Sequence, residues 1–288
     1  MALLDRIFLG AKRGKTDLRY GSIFFVGTAT TLINYAGFTV LTDPNFLHQG
    51  EYVRLGYGLR SRRLTDPAVD IEALPPIDLV LLSHMHEDHF DRVVERKLDR
   101  TLPIITTPHA AKALRKKGFQ APYALSTWAS TMVQKGDVQL RITAMPGQHG
   151  GSLSSKLLPQ VMGSMLDFRT LTGKHLLRMY ITGDTLLFRK LKQIPKRYPD
   201  IDLALLHLGG TRAFGMLVTM DGAQGVEAIK LLQPTIAIPI HYNDYTVFKS
   251  PLQDFEQHVR AARLQDRVRY VHHGETYNWE VPRSRREP

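Results

Sequence analysis

Four potential metal ligands lie within six residues, directly after a short apolar run. The run Asp78–Ser83 is typical of a buried strand, and it leads into His84, His86, Asp88 and His89. In an extended turn, His84 and His86 would point toward one metal ion, whereas Asp88 and His89 would diverge toward a second. Imidazole nitrogens and carboxylate oxygens are suitable ligands for zinc, manganese or iron. The spacing predicts a site for two metal ions, and the alternative is a solvated histidine-rich loop.

Three further candidate ligands also follow apolar runs. They are His149 after Arg141–Met145, Asp184 after Met179–Thr182, and His241 after Ile236–Ile240. A binuclear site needs about two more protein ligands and a carboxylate that bridges metals about 3.5–4 Å apart. Strand ends at one edge of a sheet converge in space even when they are far apart in sequence. A single histidine after a strand is often an ordinary residue, so the prediction depends on the joint pattern.

Taken in this order, the candidates resemble the metallo-β-lactamase superfamily pattern, His-x-His-x-Asp-His followed by a His, an Asp and a His. The resemblance extends from about Ser22 to His273. Strands followed by helices in both halves predict two packed sheets flanked by helices. The resemblance implies that this α/β architecture is the four-layer αββα sandwich of the metallo-β-lactamase type.

Within the superfamily, the chain is most similar to the branch of N-acyl-phosphatidylethanolamine phospholipase D and the ascorbate-6-phosphate lactonase. The segments that carry this likeness are Gly27–Ile33, Leu41–Pro44, Leu82–His84, Gly183–Thr185 and Ile238–Tyr242. One position departs from the pattern, because relatives often have Gly-His where this chain has Gly27-Thr28. Any contact of that histidine with substrate is therefore absent here or has moved.

The resemblance also implies an assignment of the ligands to two divalent transition-metal ions, with zinc favoured over manganese or iron. His84, His86 and His149 would hold the first metal, Asp88, His89 and His241 the second, and Asp184 would bridge them. A hydroxide between the metals would then be the nucleophile. The catalytic candidates are Asp88, Asp184 and Tyr242. Tyr242 follows a ligand and would donate to a substrate oxygen, or else cap the strand end.

Residues around the ligands should orient them, because ligating imidazoles usually donate their other nitrogen to a carboxylate or carbonyl. Asp43 is the expected partner of one histidine, with Thr182 and Thr185 as further candidates. His207 follows Leu203–Leu206 and is predicted to line the pocket. Five further histidines are interpreted as structural: His109, His175, His258, His272 and His273.

Composition is that of a globular enzyme, with 43% hydrophobic and 23% charged residues. The sequence has no cysteine, so disulfides and thiolate ligands are excluded and a metal site must use nitrogen and oxygen. The net charge of +11 favours anionic partners. The basic residues are scattered and are not interleaved with aromatic residues, which argues against a nucleic-acid surface.

The sequence predicts one catalytic domain at 21–280, preceded by an N-terminal segment at 1–20 and followed by a basic tail at 281–288. The first residues lack the pattern of a signal peptide, and no apolar stretch is long enough to span a bilayer, so we expect a cytoplasmic protein. An amphipathic segment beginning at Leu3 would pack on the body or make peripheral membrane contact. The sequence indicates no oligomeric state.

Predicted elements surround the ligand cluster. Strands are expected at Ser22–Val26, Thr31–Tyr35 and Phe38–Thr42, and helices at Asp91–Lys97, Ala110–Lys117 and Asp221–Leu232. The basic segment between Asp43 and Pro76 is a candidate wall of the substrate pocket. The segment Gly150–Pro159 combines small residues with leucines and is typical of a mobile substrate loop, although a packed loop is equally consistent with it.

These features favour a metal-dependent hydrolase that acts on a phosphodiester, ester or lactone of an anionic or lipid-like small molecule. One alternative is a metal-dependent ribonuclease, but the chain has no obvious room for an inserted RNA-binding domain. The other alternative is a non-catalytic binding protein on the same fold. A complete set of seven ligand candidates argues against that role.

Overall fold

The computed structural model describes residues 3–10, 16–56, 58–151, 158–213 and 215–286. Its strands are β1 (Leu3–Leu9), β2 (Tyr20–Gly27), β3 (Thr30–Tyr35), β4 (Phe38–Thr42), β5 (Tyr52–Gly56), β6 (Leu59–Arg62), β7 (Leu79–Leu82), β8 (Ile104–Thr106), β9 (Pro122–Ala124), β10 (Ser130–Lys135), β11 (Val138–Pro146), β12 (Met162–Thr170), β13 (His175–Ile181), β14 (Leu203–His207), β15 (Arg212–Ala213), β16 (Met216–Leu217), β17 (Ile236–Ile240) and β18 (Thr276–Glu280). The helices are α1 (Arg92–Lys97), α2 (Pro108–Lys116), α3 (Ile194–Arg197), α4 (Gly222–Leu232), α5 (Leu252–Ala261) and α6 (Arg283–Arg286).

Two seven-stranded sheets form the centre of the fold. The first sheet has the order β18-β2-β3-β4-β7-β8-β9, and the second has the order β1-β10-β11-β12-β13-β14-β17. One buried cluster joins the facing sheets, for example through Ile33 and Phe38 on the first and Phe168 on the second. This arrangement confirms the predicted α/β sandwich.

Helices cover the outer faces of both sheets. Val94 of α1 and Leu114 of α2 pack on the first sheet in a cluster with Val80. Val226 of α4 and Phe255 of α5 belong to the cluster that includes the second sheet. The layers therefore follow the order helix, sheet, sheet, helix, as the resemblance implied.

Local signals in the sequence explain where the predicted helices begin. The side chain of Asp91 accepts hydrogen bonds from the first turn of α1, and Asp221 does the same for Gln224 at the start of α4. Pro108 occupies the first turn of α2, where its missing N–H is no loss. The three predicted helices and the three predicted strands β2, β3 and β4 are confirmed, with ends shifted by a few residues.

The first and the last of the described strands lie at sheet edges. β1 pairs in parallel with β10 at the edge of the second sheet, and β18 pairs with β2 at the edge of the first. The described part of the predicted N-terminal segment is thus partly a strand, with Ile7 buried and Phe8 exposed. At the other end, Arg285 of the basic tail forms an ion pair with Asp202. In the part of the chain that the structure describes, no helix has the length and apolar character to cross a membrane.

Candidate metal centre

The candidate ligands meet at one edge of the sandwich because every one of them follows the end of a strand. His84 to His89 follow β7 in the first sheet, whereas His149, Asp184 and His241 follow β11, β13 and β17 in the second. β13, β14 and β17 run parallel, and two antiparallel pairings give β11 the same direction. Their carboxyl ends therefore lie at the same edge, as predicted, and each sheet contributes part of the ligand set.

The seven candidate ligands form two groups at this edge, and a third group, Asp43, His89 and His207, shares His89 with the second. In the first, His84, His86 and His149 each place one ring nitrogen within 4.8 Å of the others. His84 Nε2 and His86 Nδ1 are 3.0 Å apart. Two nitrogens held at about 2.0–2.1 Å from one tetrahedral zinc ion lie about 3.3 Å apart, so this spacing is close to that of a shared metal.

The second group contains Asp88, His89, Asp184 and His241, again with one ligand atom each within 4.8 Å of the others. Asp184 Oδ2 lies 3.4 Å from His89 Nε2, and Asp88 Oδ2 lies 3.5 Å from His241 Nε2. All four side chains are buried. The sequence-predicted ligands are thus brought together in the two groups that the resemblance implied, and their metal binding remains a prediction.

Unpaired atoms in the second group provide a test of whether a cation fits. Among the described residues, four buried atoms of this group have no hydrogen-bond partner: Asp88 Oδ1, His89 Nε2, Asp184 Oδ1 and His241 Nε2. Buried polar atoms in proteins are nearly always paired, because an unpaired one costs its full desolvation free energy. Two carboxylate oxygens and two imidazole nitrogens that converge without partners fit a transition-metal ion.

The pKa values of the first group suit metal binding. Burial lowers the pKa of His84 well below its usual value and lowers the pKa of His149 as well. Burial also lowers the pKa of His86, to about 4. All three imidazoles are therefore neutral at pH 7, and a neutral imidazole is the form that donates a lone pair to a metal.

In the second group the carboxylates dominate the electrostatics. Burial by itself lowers the pKa of His89, but Asp184, Asp88 and Asp43 outweigh this and raise it well above the usual value. Burial raises the pKa of Asp184, yet the neighbouring His241 and His89 hold it well below its usual value. The negative charge that favours a proton on His89 also favours a metal cation, which would replace that proton.

Hydrogen bonds to the far side of each imidazole fix which nitrogen faces the site. His149 Nδ1 donates to the carbonyl oxygen of Val218 at 2.9 Å, and His241 Nδ1 donates to that of Leu208 at 3.1 Å. Both residues consequently present Nε2 to the cluster. A ligating histidine held by a backbone carbonyl in this way is common in metal sites.

Asp43 has the orienting position that the sequence indicated. Its Oδ2 lies 3.4 Å from His89 Nδ1 and 3.3 Å from His207 Nε2, and its Oδ1 accepts the backbone N–H of Ser83 at 2.7 Å. The hydroxyl of Thr182 lies 3.3 Å from His207 Nδ1. His207 itself is fully buried behind Asp43. It therefore lines no open pocket, in contrast to the prediction, and it supports Asp43 instead.

Tyr242 does not reach the cluster in this structure. Its hydroxyl donates to the carbonyl oxygen of Val271 at 3.3 Å, and its side chain is buried. His241 follows the end of β17 with a left-handed φ angle of 62°. Beyond this bend the hydroxyl of Tyr242 faces Val271, whereas the ring of His241 faces the ligands. The contact with substrate expected for Tyr242 stays a prediction that this geometry does not support.

Several residues at the site were not anticipated from the sequence. The hydroxyl of Thr219 donates to Asp184 Oδ2 at 3.1 Å. The imidazole of His273, interpreted as structural, lies 3.3 Å from Asp244 and beside Gly27. No local motif marks these contacts, since each joins segments far apart in sequence. Two leucines of the expected substrate loop, Leu153 and Leu157, lie outside the described residues.

The sequence and fold of this chain are similar to those of known proteins. Residues 39–242 match the family described as "Beta-lactamase superfamily domain". A "UPF0173 metal-dependent hydrolase" of Ignicoccus hospitalis is 32% identical over 205 residues, covering 70% of this chain and 79% of that protein. One from Nanoarchaeum equitans is 28% identical over 206 residues, covering 72% and 87%. The crystal structure of an isothiocyanate hydrolase from Delia radicum gut bacteria superimposes with a TM-score of 0.74 at 21% identity, covering 91% of this chain and all of that one (100%).

Proposed function

Because this chain belongs to the beta-lactamase superfamily, and within it to the UPF0173 metal-dependent hydrolase family, we propose that it is a binuclear metallohydrolase. Its substrate in this proposal is an anionic or lipid-like small molecule with a phosphodiester, ester or lactone bond. The observation that carries the proposal is the pair of adjacent ligand groups, with four buried atoms left unpaired in the second. We also propose that the chain is most similar, within the superfamily, to the branch of the phospholipase D and the lactonase.

The residues present would hold two divalent transition-metal ions. His84, His86 and His149 would bind the first, and Asp88, His89 and His241 the second, with Asp184 between them. Zinc is favoured over manganese or iron because the first group offers three nitrogens. When bound, the metals would supply a nucleophilic hydroxide at neutral pH and polarise the scissile carbonyl or phosphoryl group.

The protein's own side chains would then orient the reaction and handle the proton. Thr219 holds one oxygen of Asp184 at 3.1 Å and leaves the other without a partner among the described residues. Asp88 is likewise buried, and the carboxylate oxygen that the metal leaves free would accept the proton that the attacking water releases. Asp43 keeps the Nδ1 proton of His89 on the far side of the ring.

A basic hairpin beside the centre supports an anionic substrate. β5 and β6 pair so that Arg54 lies directly opposite Arg60, an arrangement of like charges that destabilises a hairpin without a counter-ion. Both side chains are exposed, and with Tyr52, Arg92, Glu51 and Glu87 they line a cavity of about 450 Å³. Glu51 forms an ion pair with Arg92 in this cavity. Glu87 lies between His86 and Asp88 in the sequence. We propose that the hairpin receives the negatively charged part of the substrate.

Metal analysis combined with a substrate panel tests this function. Protein purified without chelator should contain up to two transition-metal ions per chain. His84→Ala should lose metal and activity, whereas His258→Ala, on the exposed surface of α5, should lose neither. Metal-free protein that keeps full activity in chelator would refute the mechanism.

The panel should contain bis-p-nitrophenyl phosphate, an aryl ester, an acyl-homoserine lactone, a phospholipid, an aryl isothiocyanate, a β-lactam and RNA. We expect turnover of the phosphodiester or the lactone and poor hydrolysis of the β-lactam. The isothiocyanate is included because a protein of similar fold hydrolyses that class. Cleavage of RNA alone would establish the ribonuclease alternative, and cleavage of the β-lactam alone would refute the proposed substrate class.

A further inference from the structure

Left-handed backbone occurs in both of the segments that meet beside the second ligand group. Thr28, His241 and Asn243 have φ angles of 53°, 62° and 60°. Residues with a Cβ rarely adopt such angles, and they persist only where the surroundings hold them. His241 is one of the proposed ligands, so the position of its ring depends on what fixes this backbone.

Two consecutive hydrogen bonds hold the backbone of His241 in this conformation. The backbone N–H of His241 donates to the carbonyl oxygen of Thr28 at 2.5 Å. The backbone N–H of Thr28 donates in turn to the carboxylate of Asp244 at 2.7 Å. Thr28 and Asp244 are both fully buried, so no water competes for these bonds. The turn at Gly27-Thr28 thus connects the ligand to the side chain of Asp244.

Asp244 is surrounded by donors. The hydroxyl of Thr65 donates to its Oδ1, and the imidazole of His273 lies 3.3 Å from its Oδ2. Burial raises the pKa of Asp244, but His273, the nearby guanidinium of Arg63 and the hydroxyl of Thr65 outweigh this and hold it below the usual value. The N–H of Thr28, the hydroxyl of Thr65 and the imidazole of His273 give the carboxylate three donors and hold it in one orientation.

We propose that Asp244 is a positioning residue for the second metal. Through the Gly27-Thr28 turn it holds the backbone of His241 so that Nε2 faces Asp88. This inference rests on the proposed metal centre and adds to it a group that contacts neither metal nor substrate. The turn uses only the backbone carbonyl and N–H of Thr28 for this connection.

The substitution Asp244→Asn tests the inference with little change of shape. The carboxylate of Asp244 accepts through both oxygens, whereas the amide of asparagine has one acceptor oxygen and one NH2 group. In the variant, the NH2 group would therefore face at least one of the three surrounding donors, and that hydrogen bond would be lost. Mutating a partner that orients a ligand typically weakens metal affinity about 10–100-fold. We expect that loss for one of the two zinc ions in chelator competition, with the other ion unaffected.

A double variant assigns the loss to the correct metal. His241→Ala should retain one zinc ion, and adding Asp244→Asn to it should leave the affinity for that ion unchanged. The control is Asp167→Asn, a buried aspartate that pairs with Arg169 and Arg178. It lies five residues along β12 from Met162, which contacts Ser83, and so is about 17 Å from the centre. It should reduce stability in urea and leave both zinc affinities unchanged.

The outcomes distinguish failure of the proposed binuclear centre from failure of the positioning role of Asp244. If wild-type protein binds fewer than two zinc ions, the binuclear centre itself is refuted. If wild-type protein binds two and Asp244→Asn binds both as tightly, the positioning role is refuted. Should Asp244→Asn fail to fold, His273→Asn replaces it, because His273 is partly exposed and supplies only one donor. It should weaken the same zinc ion by a smaller factor, and unchanged affinity would again overturn the inference.

Discussion

Substitution of Gly183 by alanine should disturb the centre although the residue binds nothing itself. Gly183 lies just beyond the end of β13, directly before Asp184, and has a φ angle of 63°. A Cβ at this position would lie 2.6 Å from the carbonyl oxygen of Met162 and 3.2 Å from the Cβ of Ser83. Real Cβ contacts essentially never fall under 3.0 Å, so the strand ends must separate by at least 3.0 − 2.6 = 0.4 Å. The nearest of these atoms is a backbone oxygen, and the Cβ of Ser83 is fixed to the backbone, so neither can rotate aside.

Two terms set the size of the effect. A left-handed conformation costs an alanine roughly 1 kcal/mol relative to glycine. Overpacking against rigid neighbours adds about 1–3 kcal/mol. The free energy of unfolding of the metal-free protein should therefore fall by about 2–4 kcal/mol. Because Asp184 is the next residue, the displacement should also move its carboxylate and weaken metal binding.

Gly173→Ala is the matched control for this experiment. Gly173 also has a positive φ angle, of 87°, but a Cβ there would meet no atom within 4 Å. Only the conformational term of about 1 kcal/mol should remain. Urea unfolding in chelator measures stability, and zinc titration measures binding. Equal losses of stability in the two variants, with unchanged zinc affinity in Gly183→Ala, would refute the reasoning.

Three further predictions concern other parts of the structure. Asp244 has a lowered pKa, so it contributes stability that is complete above its unfolded pKa of about 3.9 and is lost as the pH falls through the lower folded value. Acid unfolding of metal-free Asp244→Asn should therefore depend less on pH below about 4 than that of wild type, and equal slopes would contradict the assignment. Asp221→Ala removes the cap that binds Gln224 at the start of α4 and should cost about 1 kcal/mol in urea unfolding, whereas no loss would mean that the cap is unimportant. Arg54→Gln with Arg60→Gln should lower kcat/KM for an anionic substrate more than for a neutral one, and equal effects on both would argue against the hairpin as an anion site.

The ligand cluster could be predicted from the sequence because its physical causes are local. A buried strand requires an apolar run, and a chain that leaves such a strand at the sheet edge carries its polar residues there. His84 after β7 and Asp184 after β13 both follow this rule. The fold could then be predicted from the order of the ligands along the chain. That order is tied to the fold because it reflects which strand ends meet at the site.

Other parts of the site could not be predicted, because their causes are distant in sequence. The hydrogen bond between Thr28 and Asp244 spans 216 positions, and that between Thr65 and Asp244 spans 179. No periodicity or motif connects such residues before the fold is known. The orientation of Tyr242 depends on the left-handed backbone of His241, which the residue type does not indicate. The strand at Leu3–Leu9 likewise depends on a partner, β10, more than a hundred residues later.

The division of the ligands between the two sheets has a consequence for the kinetics of folding. Neither sheet alone can complete a metal site, since His84 to His89 belong to one and His149, Asp184 and His241 to the other. A folding intermediate with one formed sheet therefore gains little from metal, while the native state gains the full binding free energy. If the sheets dock after the transition state, metal slows unfolding and leaves the folding rate unchanged. Chevron plots with and without zinc would therefore show whether the two sheets dock before or after the transition state of folding.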